Sequence, residues 1–140
     1  MELKNQVCSL ELAKRLKELK AKQDSLFYWK FSNGMLEKVS NIAIDTELVY
    51  GQQPQKLKTL GTWETCSAFT VAELGEMLPK EIKADKEYFI KQSFTILGLS
   101  IIKYTDTDGY DFISWSSITE ADARAKTLIY LLENKLIEIQ

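Results

Sequence analysis

The side chains that most often perform catalysis are largely missing from this chain. Its 140 residues contain no histidine, the commonest general base and metal ligand. Serine–histidine and cysteine–histidine nucleophile pairs and histidine zinc sites are therefore excluded. Cys8 and Cys66 are too few for an all-cysteine zinc site within one chain. The six glycines are scattered and form no phosphate-binding loop. We therefore expect no enzymatic activity and no cofactor.

Carboxylates offer the remaining route to catalysis. Asp106, Asp108 and Asp111 cluster in the sequence, but their spacing does not fit a calcium loop, because Tyr104 and Trp115 would occupy its first and last ligand positions. Asp106 and Asp111 could face each other and take a cation, although solvated charges at a hairpin tip are the favoured interpretation. A small carboxylate- and metal-dependent enzyme is our third hypothesis.

Aromatic residues are the more suggestive feature. Phe27 and Trp29 would share one face of a strand and Tyr28 the other. Such rings can form core and cross-strand pairs, or they can line a site that stacks a planar ligand while cations meet its phosphates. For the second reading, the candidate ligand-binding residues are Tyr28, Trp29, Lys30, Trp63, Tyr110, Trp115 and Arg124. Both readings stay open, and no metal ligand is proposed.

The clearest element to position these side chains is a helix near the end of the chain. Thr119 is expected to cap it, and Asp122 completes a capping-box pattern. Asn134 is expected to end it in a left-handed conformation. A stripe of small and branched apolar residues would face the rest of the protein: Ala121, Ala125, Leu128, Leu132 and Leu136.

Two further helices are indicated. An amphipathic helix follows Ser9, with Leu12 and Leu16 on its apolar face. A short central helix has a capping box of Thr70 with Glu73 and ends before a proline, and a hydrophobic staple is expected to join Phe69 to Leu74. The three helices would flank a sheet.

Strands are indicated by β-branched and aromatic runs. The ranges are 26–31, one or two strands within 35–50, 60–66, 88–90 and 94–107, with Gly98 as a possible bulge. Residues 51–56 are expected to form a loop. Asp108-Gly109 predicts a two-residue hairpin turn. Its register would pair Ile102 with Trp115, Tyr104 with Ile113, and Asp106 with Asp111.

We predict an α+β fold as a single domain over residues 1–140. An antiparallel sheet would be packed by the long C-terminal helix, with an N-terminal amphipathic helix and a short central helix. Residues 11–30 and 73–91 both read as helix, linker, aromatic strand and lysine. This weak repeat could reflect an αββ duplication, and chance similarity explains it nearly as well.

Residues 8–19 with 23–29, 67–79 and 119–134 resemble a family of small uncharacterised proteins common in bacteriophages, prophages and gut bacterial genomes. Together these segments cover about a third of the chain. Lys20 stands where that family typically has a glycine at the end of the first helix. The resemblance implies a phage-linked origin and transfers no activity.

Small phage proteins without catalytic residues often act by binding. Our leading hypothesis is a phage or prophage accessory protein that sequesters a nucleotide-like signalling ligand of host antiviral defence. The alternative is a protein–protein interaction module that binds a host or phage protein. We expect a homo-oligomer, most simply a homodimer, in the cytoplasm of the bacterial host, with no membrane partner. The acidic balance of residues 61–140, with eight Lys/Arg against thirteen Asp/Glu, disfavours nucleic acid as a partner.

Overall fold

The computed structural model describes residues 2–32, 47–50 and 63–138. Within them the chain forms a 3₁₀ turn, Leu3–Asn5, and three α-helices: α1, Leu10–Glu18; α2, Val71–Met77; and α3, Glu120–Glu133. The strands are β1, Phe27–Ser32; β2, Glu47–Tyr50; β3, Trp63–Ser67; β4, Glu81–Lys83; β5, Glu87–Phe94; β6, Ser100–Thr105; and β7, Asp111–Ser117. The predicted α+β fold is confirmed.

The strands form two antiparallel sheets, where the sequence suggested one. The first has the order β2-β1-β3, and the second runs β4-β5-β6-β7 as a meander. In the first sheet the aromatic strand β1 is central; in the second, each strand pairs with the next along the chain. The two strand orders differ, and the duplication suggested by the sequence stays a prediction.

One hydrophobic cluster joins the two sheets to the helices. Its most enclosed members include Leu16 of α1, Leu74 of α2, Leu128 of α3 and Tyr104 of β6, each no more than 1 % exposed. Ala121, Ala123 and Ala125 are also fully buried, because methyl-sized side chains let α3 approach its neighbours closely. The C-terminal helix therefore packs on the sheet as expected.

The helix starts follow the sequence prediction with one change. At α2, the Thr70 hydroxyl accepts from the Glu73 backbone N–H, and the Glu73 carboxylate accepts from the Thr70 N–H. At α3, the Thr119 hydroxyl accepts from the Asp122 N–H at 3.1 Å. The Asp122 carboxylate, however, accepts from the Ser9 N–H at 2.7 Å, so it joins the start of α1 to α3.

The ends of α1 and α3 share one motif. Asn134 has φ −92°, so the expected left-handed stop is wrong by one residue: Lys135 has φ 55°, and Lys20 has φ 66° after α1. Each lysine N–H donates to a carbonyl three residues back, and the next N–H donates five residues back. These bonds form a Schellman motif, with lysine where glycine is usual.

Residues 94–107 do not form the single strand predicted from the sequence. The chain reverses after Phe94, and Gly98, with φ 84°, closes a turn rather than a bulge. The Gly98 N–H donates to the Thr95 carbonyl, and the Thr95 N–H donates to the Leu99 carbonyl, both at 2.9 Å. This is a three-residue hairpin loop with glycine in the left-handed position. The short strand β4 was also not anticipated.

The β6–β7 hairpin keeps most of its predicted register. Ile102 pairs with Trp115 and Tyr104 with Ile113, as predicted, but a bulge then shifts the register so that Thr105 faces Asp111. The Asp106 N–H donates to the Tyr110 carbonyl, and Gly109 has φ 89°. The loop thus has three residues instead of two, and the predicted pairing of Asp106 with Asp111 is wrong.

Some sequence predictions lie outside the described residues: any strand within residues 35–46, the loop at 51–56, and the start of the strand predicted from residue 60. The remainder of that strand is confirmed as β3. Among the helices described, none is both long enough and apolar enough to cross a membrane.

Candidate functional site

Four of the most exposed apolar side chains among the described residues lie at one end of the four-stranded sheet. Phe94 ends β5 and is 64 % exposed, and Ile96 and Leu97 form the following loop at 106 % and 89 %. Ile118, 82 % exposed, follows the Ser100–Ser117 pair and so lies at the same sheet end. We call these four residues the apolar tip. Scattered surface apolar residues are ordinary, but several highly exposed apolar residues at one end of a sheet are characteristic of an interaction site.

The fold does not require apolar residues in this loop. The turn is closed by backbone hydrogen bonds, by Gly98 in the left-handed conformation, and by the Thr95 hydroxyl, which accepts from the Leu99 N–H at 3.0 Å. None of these interactions involves the side chains of Ile96 or Leu97. Loops of this kind usually carry Gly, Asn, Asp or Ser. The apolar choice therefore has no explanation in the stability of the hairpin.

A polar cluster lies behind the apolar tip, on the helix-facing side of the sheet. The Arg124 guanidinium donates to the Glu120 carboxylate at 2.9 Å and to the side-chain oxygen of Gln92 at 3.0 Å. A Cβ on Gly75 would come within 2.9 Å of the Arg124 guanidinium, so α2 approaches this side chain closely. Arg124, one of the sequence-predicted ligand residues, thus joins α2, α3 and β5.

The candidate residues on β1 lie in the other sheet. Tyr28 is buried, and its hydroxyl accepts from the Ser25 N–H at 3.2 Å. Trp29 faces the opposite side, and its indole N–H donates to the Cys8 carbonyl at 2.8 Å. Lys30 is half-buried and lies between Glu47 and Thr65 in the sheet. Trp63 begins β3 opposite Ser32, and its side chain is outside the described part of the structure.

The remaining aromatic candidates lie on or beside β7. Tyr110 is 73 % exposed in the β6–β7 loop, at the sheet end opposite the apolar tip. Trp115 lies on the helix-facing side, 6.0 Å between ring centroids from Tyr130 of α3. The structure therefore divides the candidate residues between two sheets: Tyr28, Trp29, Lys30 and Trp63 on one, Tyr110 and Trp115 on the other, with Arg124 on α3.

The aspartates near the β6–β7 loop are not equivalent solvated charges. Asp106 is buried, and one of its carboxylate oxygens accepts from the N–H groups of Asp108 and Tyr110, each at 2.9 Å. Its other oxygen lies 3.7 Å from the Lys86 ammonium. Asp111 lies on the outer face, 3.8 Å from the Lys103 ammonium. Across the described residues no group of three potential metal ligands converges.

Both cysteines are buried thiols. Burial raises the pKa of the Cys8 thiol to about 12, although a hydrogen bond involving the Phe69 backbone opposes the shift. A thiol with such a pKa is protonated at neutral pH, and the thiolate is the reactive form. Cys8 therefore contributes to the core and is a poor nucleophile.

Sequence reasoning missed the four residues of the apolar tip, although a signal was present. Thr95 and Gly98 have the same spacing as Asp106 and Gly109, and each pair closes a three-residue loop. Residues 97–102 form a mostly apolar run, which by itself favours a continuous strand. The Thr-x-x-Gly spacing would have located the turn and placed Ile96 and Leu97 in it.

Comparisons with known proteins add no further identification: no protein-family model, no curated protein and no solved structure matches this chain.

Proposed function

We propose that this protein is a non-enzymatic binding protein that inserts its apolar tip into an apolar cleft of a protein partner. The observation that carries the proposal is the near-complete exposure of Ile96 and Leu97 beside Phe94, in a loop whose closure does not need them. A protruding hairpin is convex, so its complement is a concave apolar surface. Apolar and aromatic anchors that fill such pockets supply much of the energy of protein recognition.

The phage-linked origin implied by the resembling segments makes a host or phage protein the natural partner. The nucleotide-sequestering hypothesis stays a prediction, supported by the composition of the chain alone. Tyr28 is buried, Arg124 already binds Glu120 and Gln92, and Tyr110 belongs to the four-stranded sheet whereas β1 belongs to the other. The exposed apolar side chains thus favour protein binding over nucleotide binding.

The test begins with capture of the partner. A photo-crosslinking phenylalanine analogue replaces Ile96 in one variant and Thr107, on the opposite hairpin loop, in a control. Both are produced in phage-infected bacterial cells and irradiated. We expect a protein adduct that forms from position 96 and not from position 107. Equal crosslinking from both positions would contradict the proposal.

The captured partner is then purified, and its affinity for the wild type and for the I96T/L97D variant is measured by calorimetry. Burial of one such side chain is worth about 1.5–3 kcal/mol, and 1.4 kcal/mol is a tenfold change in Kd. We expect the variant to bind about a hundredfold more weakly, with unchanged circular dichroism. Unchanged affinity, or binding of the wild type to lipid vesicles in place of any protein, would overturn the proposal.

A further inference from the structure

We infer that β7 is a dimerisation edge, at which a second copy of this chain pairs antiparallel with β7 and extends the four-stranded sheet to eight strands. The edge ends beside Ile118 of the apolar tip, but the pairing does not involve Phe94, Ile96 or Leu97, and the inference does not rest on the proposed function. An edge strand presents a row of backbone donors and acceptors that another strand can bind.

β7 is the longest edge strand among the described residues. It has seven residues, against three in β4, four in β2 and five in β3. Natural edge strands are usually protected against pairing with another chain by short length, by lysine or by proline. β4 is short and carries Glu81 and Lys83, and the Lys17 ammonium donates to the Thr65 carbonyl of β3 at 2.6 Å. β7 itself contains neither lysine nor proline, and the contact from the Lys126 ammonium of α3 to its Ser116 carbonyl is longer, at 3.4 Å.

The hydrogen-bonding groups available on this edge can be assigned. In an antiparallel ladder, alternate residues bond to opposite neighbours. The carbonyl of Ser116 accepts from the Lys126 ammonium of α3 at 3.4 Å, which shows that it points away from β6. Ser114, two residues earlier, has the same orientation and is exposed. The N–H and C=O groups of Ser114 and Ser116 therefore point away from β6, and the second lone pair of the Ser116 carbonyl can still accept a hydrogen bond from another strand.

Pairing about a two-fold axis at Ser114 is self-complementary. Ser114 then faces its own copy, and Trp115 faces Ile113 of the second chain on the helix-facing side. This buries Trp115, which is 37 % exposed in the single chain. Small serine side chains on the outer face leave room for close approach of the two strands. The Ser114 pair is hydrogen-bonded, whereas Trp115 and Ile113 form a non-hydrogen-bonded pair, in which the side chains approach closely.

The charges along the edge fit the same arrangement. Asp111 lies at the start of β7, and Lys126 reaches the edge near its end. Antiparallel pairing brings the acidic end of one copy beside the basic end of the other, twice per dimer. A parallel pairing would place like charges together. The charge distribution thus favours the two-fold antiparallel contact.

The register is tested with single cysteines, because the native thiols are buried. In the proposed dimer, Cα atoms of the two copies of residue 114 lie about 5.5 Å apart, within the range of a disulfide. Those of residue 116 are offset by about 13 Å along the strands. Under oxidised glutathione we expect a disulfide dimer from Ser114→Cys, and none from Ser116→Cys or from the outer-face control Ser93→Cys. Equal crosslinking of all three would overturn the register.

The oligomeric state is tested by sedimentation and native mass spectrometry of unmodified protein from micromolar to millimolar concentration. We expect the wild type to reach twice its 16.1 kDa mass. Ser114→Lys should remain monomeric, because it places two lysines opposite each other, whereas Ser93→Lys on the same sheet face should dimerise like the wild type. Circular dichroism confirms folding of each variant.

Two results would overturn the inference: a wild type that is monomeric throughout the range, or a Ser114→Lys variant that dimerises normally. Loss of dimer in I96T/L97D with retention in Ser114→Lys would show that the copies meet at the apolar tip instead. Partner binding by a monomeric Ser114→Lys variant would leave the proposed function intact, so the two proposals can fail separately.

Discussion

The β5–β6 and β6–β7 hairpin loops share one backbone geometry and differ in chemistry. Each has three residues, the same pair of closing backbone hydrogen bonds, and a third-position glycine with φ of 84° or 89°. The β6–β7 loop carries Thr107 and Asp108, whereas the β5–β6 loop carries Ile96 and Leu97. Since the backbone conformation is the same, turn formation does not account for the apolar pair.

The side chains that hydrogen-bond the backbone of the two loops also differ. Asp106 is buried and accepts from two backbone N–H groups, whereas the Thr95 hydroxyl accepts from one. The β6–β7 loop is thus bound more tightly to its own sheet, and the β5–β6 loop presents unpartnered apolar surface. The comparison separates residues selected for folding from residues available for binding.

The largest expected effect comes from exchanging the loop residues. I96T/L97D should reduce partner affinity about a hundredfold and change the free energy of unfolding by less than about 0.5 kcal/mol, as is usual for exposed sites. Adding T107I/D108L to that variant should not restore affinity, because Phe94 and Ile118 lie at the other end of the sheet. Calorimetric titration and urea unfolding measure both quantities. Restored binding would show that an apolar loop suffices wherever it lies.

Removing the side chains that hydrogen-bond the loop backbones, Asp106 and Thr95, should lower the free energy of unfolding by unequal amounts. Asp106→Ala leaves two backbone N–H groups without their acceptor and should cost about 2–3 kcal/mol, whereas Thr95→Ala should cost about 1 kcal/mol. Asp106→Asn is the matched control, because it retains an acceptor oxygen and loses only the attraction to the exposed Lys86, which should cost less. Urea unfolding measures all three. Equal losses of unfolding free energy in the two alanine variants would refute the conclusion that Asp106 holds its loop more tightly than Thr95 does.

The glycine positions should respond alike. Gly98→Ala and Gly109→Ala each place a Cβ on a left-handed residue, at an expected cost of about 1–2 kcal/mol. No heavy atom lies within 4 Å of the Cβ at either position, so the cost reflects backbone conformation and not a steric clash. Thermal unfolding measures it. If the free energies of unfolding lost by the two variants differ by more than about 1 kcal/mol, which is the width of the expected range, the two loops are not equivalent in backbone strain.

The smallest change in stability is expected at the two lysines that adopt the left-handed conformation, Lys20 and Lys135. Here substitution should stabilise the protein. Lys20→Gly and Lys135→Gly should each stabilise the protein by about 0.5–1 kcal/mol, because glycine relieves the left-handed strain at the helix end. Lys17→Gly, inside α1, is the control and should destabilise by more than about 1 kcal/mol, because it also removes the hydrogen bond to the Thr65 carbonyl. Thermal unfolding checks all three. Destabilisation by Lys20→Gly would indicate that its side chain contributes more than its conformation costs.

The sequence was most informative where the interacting groups lie close together along the chain. The Thr70–Glu73 capping box spans three residues, and the pairing of Tyr104 with Ile113 follows from a nearby turn and alternating hydrophobicity. The three-residue β6–β7 loop was mispredicted because Asp108-Gly109 alone resembles a two-residue turn. The hydrogen bonds of the buried Asp106 favour the longer loop, and they depend on how that side chain is enclosed.

The candidate site depended on contacts that local patterns do not contain. By itself the sequence determined the α+β class, the N-caps Thr70 and Thr119, the lack of histidine chemistry and two pairs of the hairpin register, because each follows from composition or from neighbours along the chain. The tertiary structure alone decided that Tyr28 is buried, that Asp122 binds Ser9 across 113 residues of sequence, and that Ile96 and Leu97 are exposed. Burial of a side chain is set by which distant elements pack over it, and that packing is a property of the whole fold.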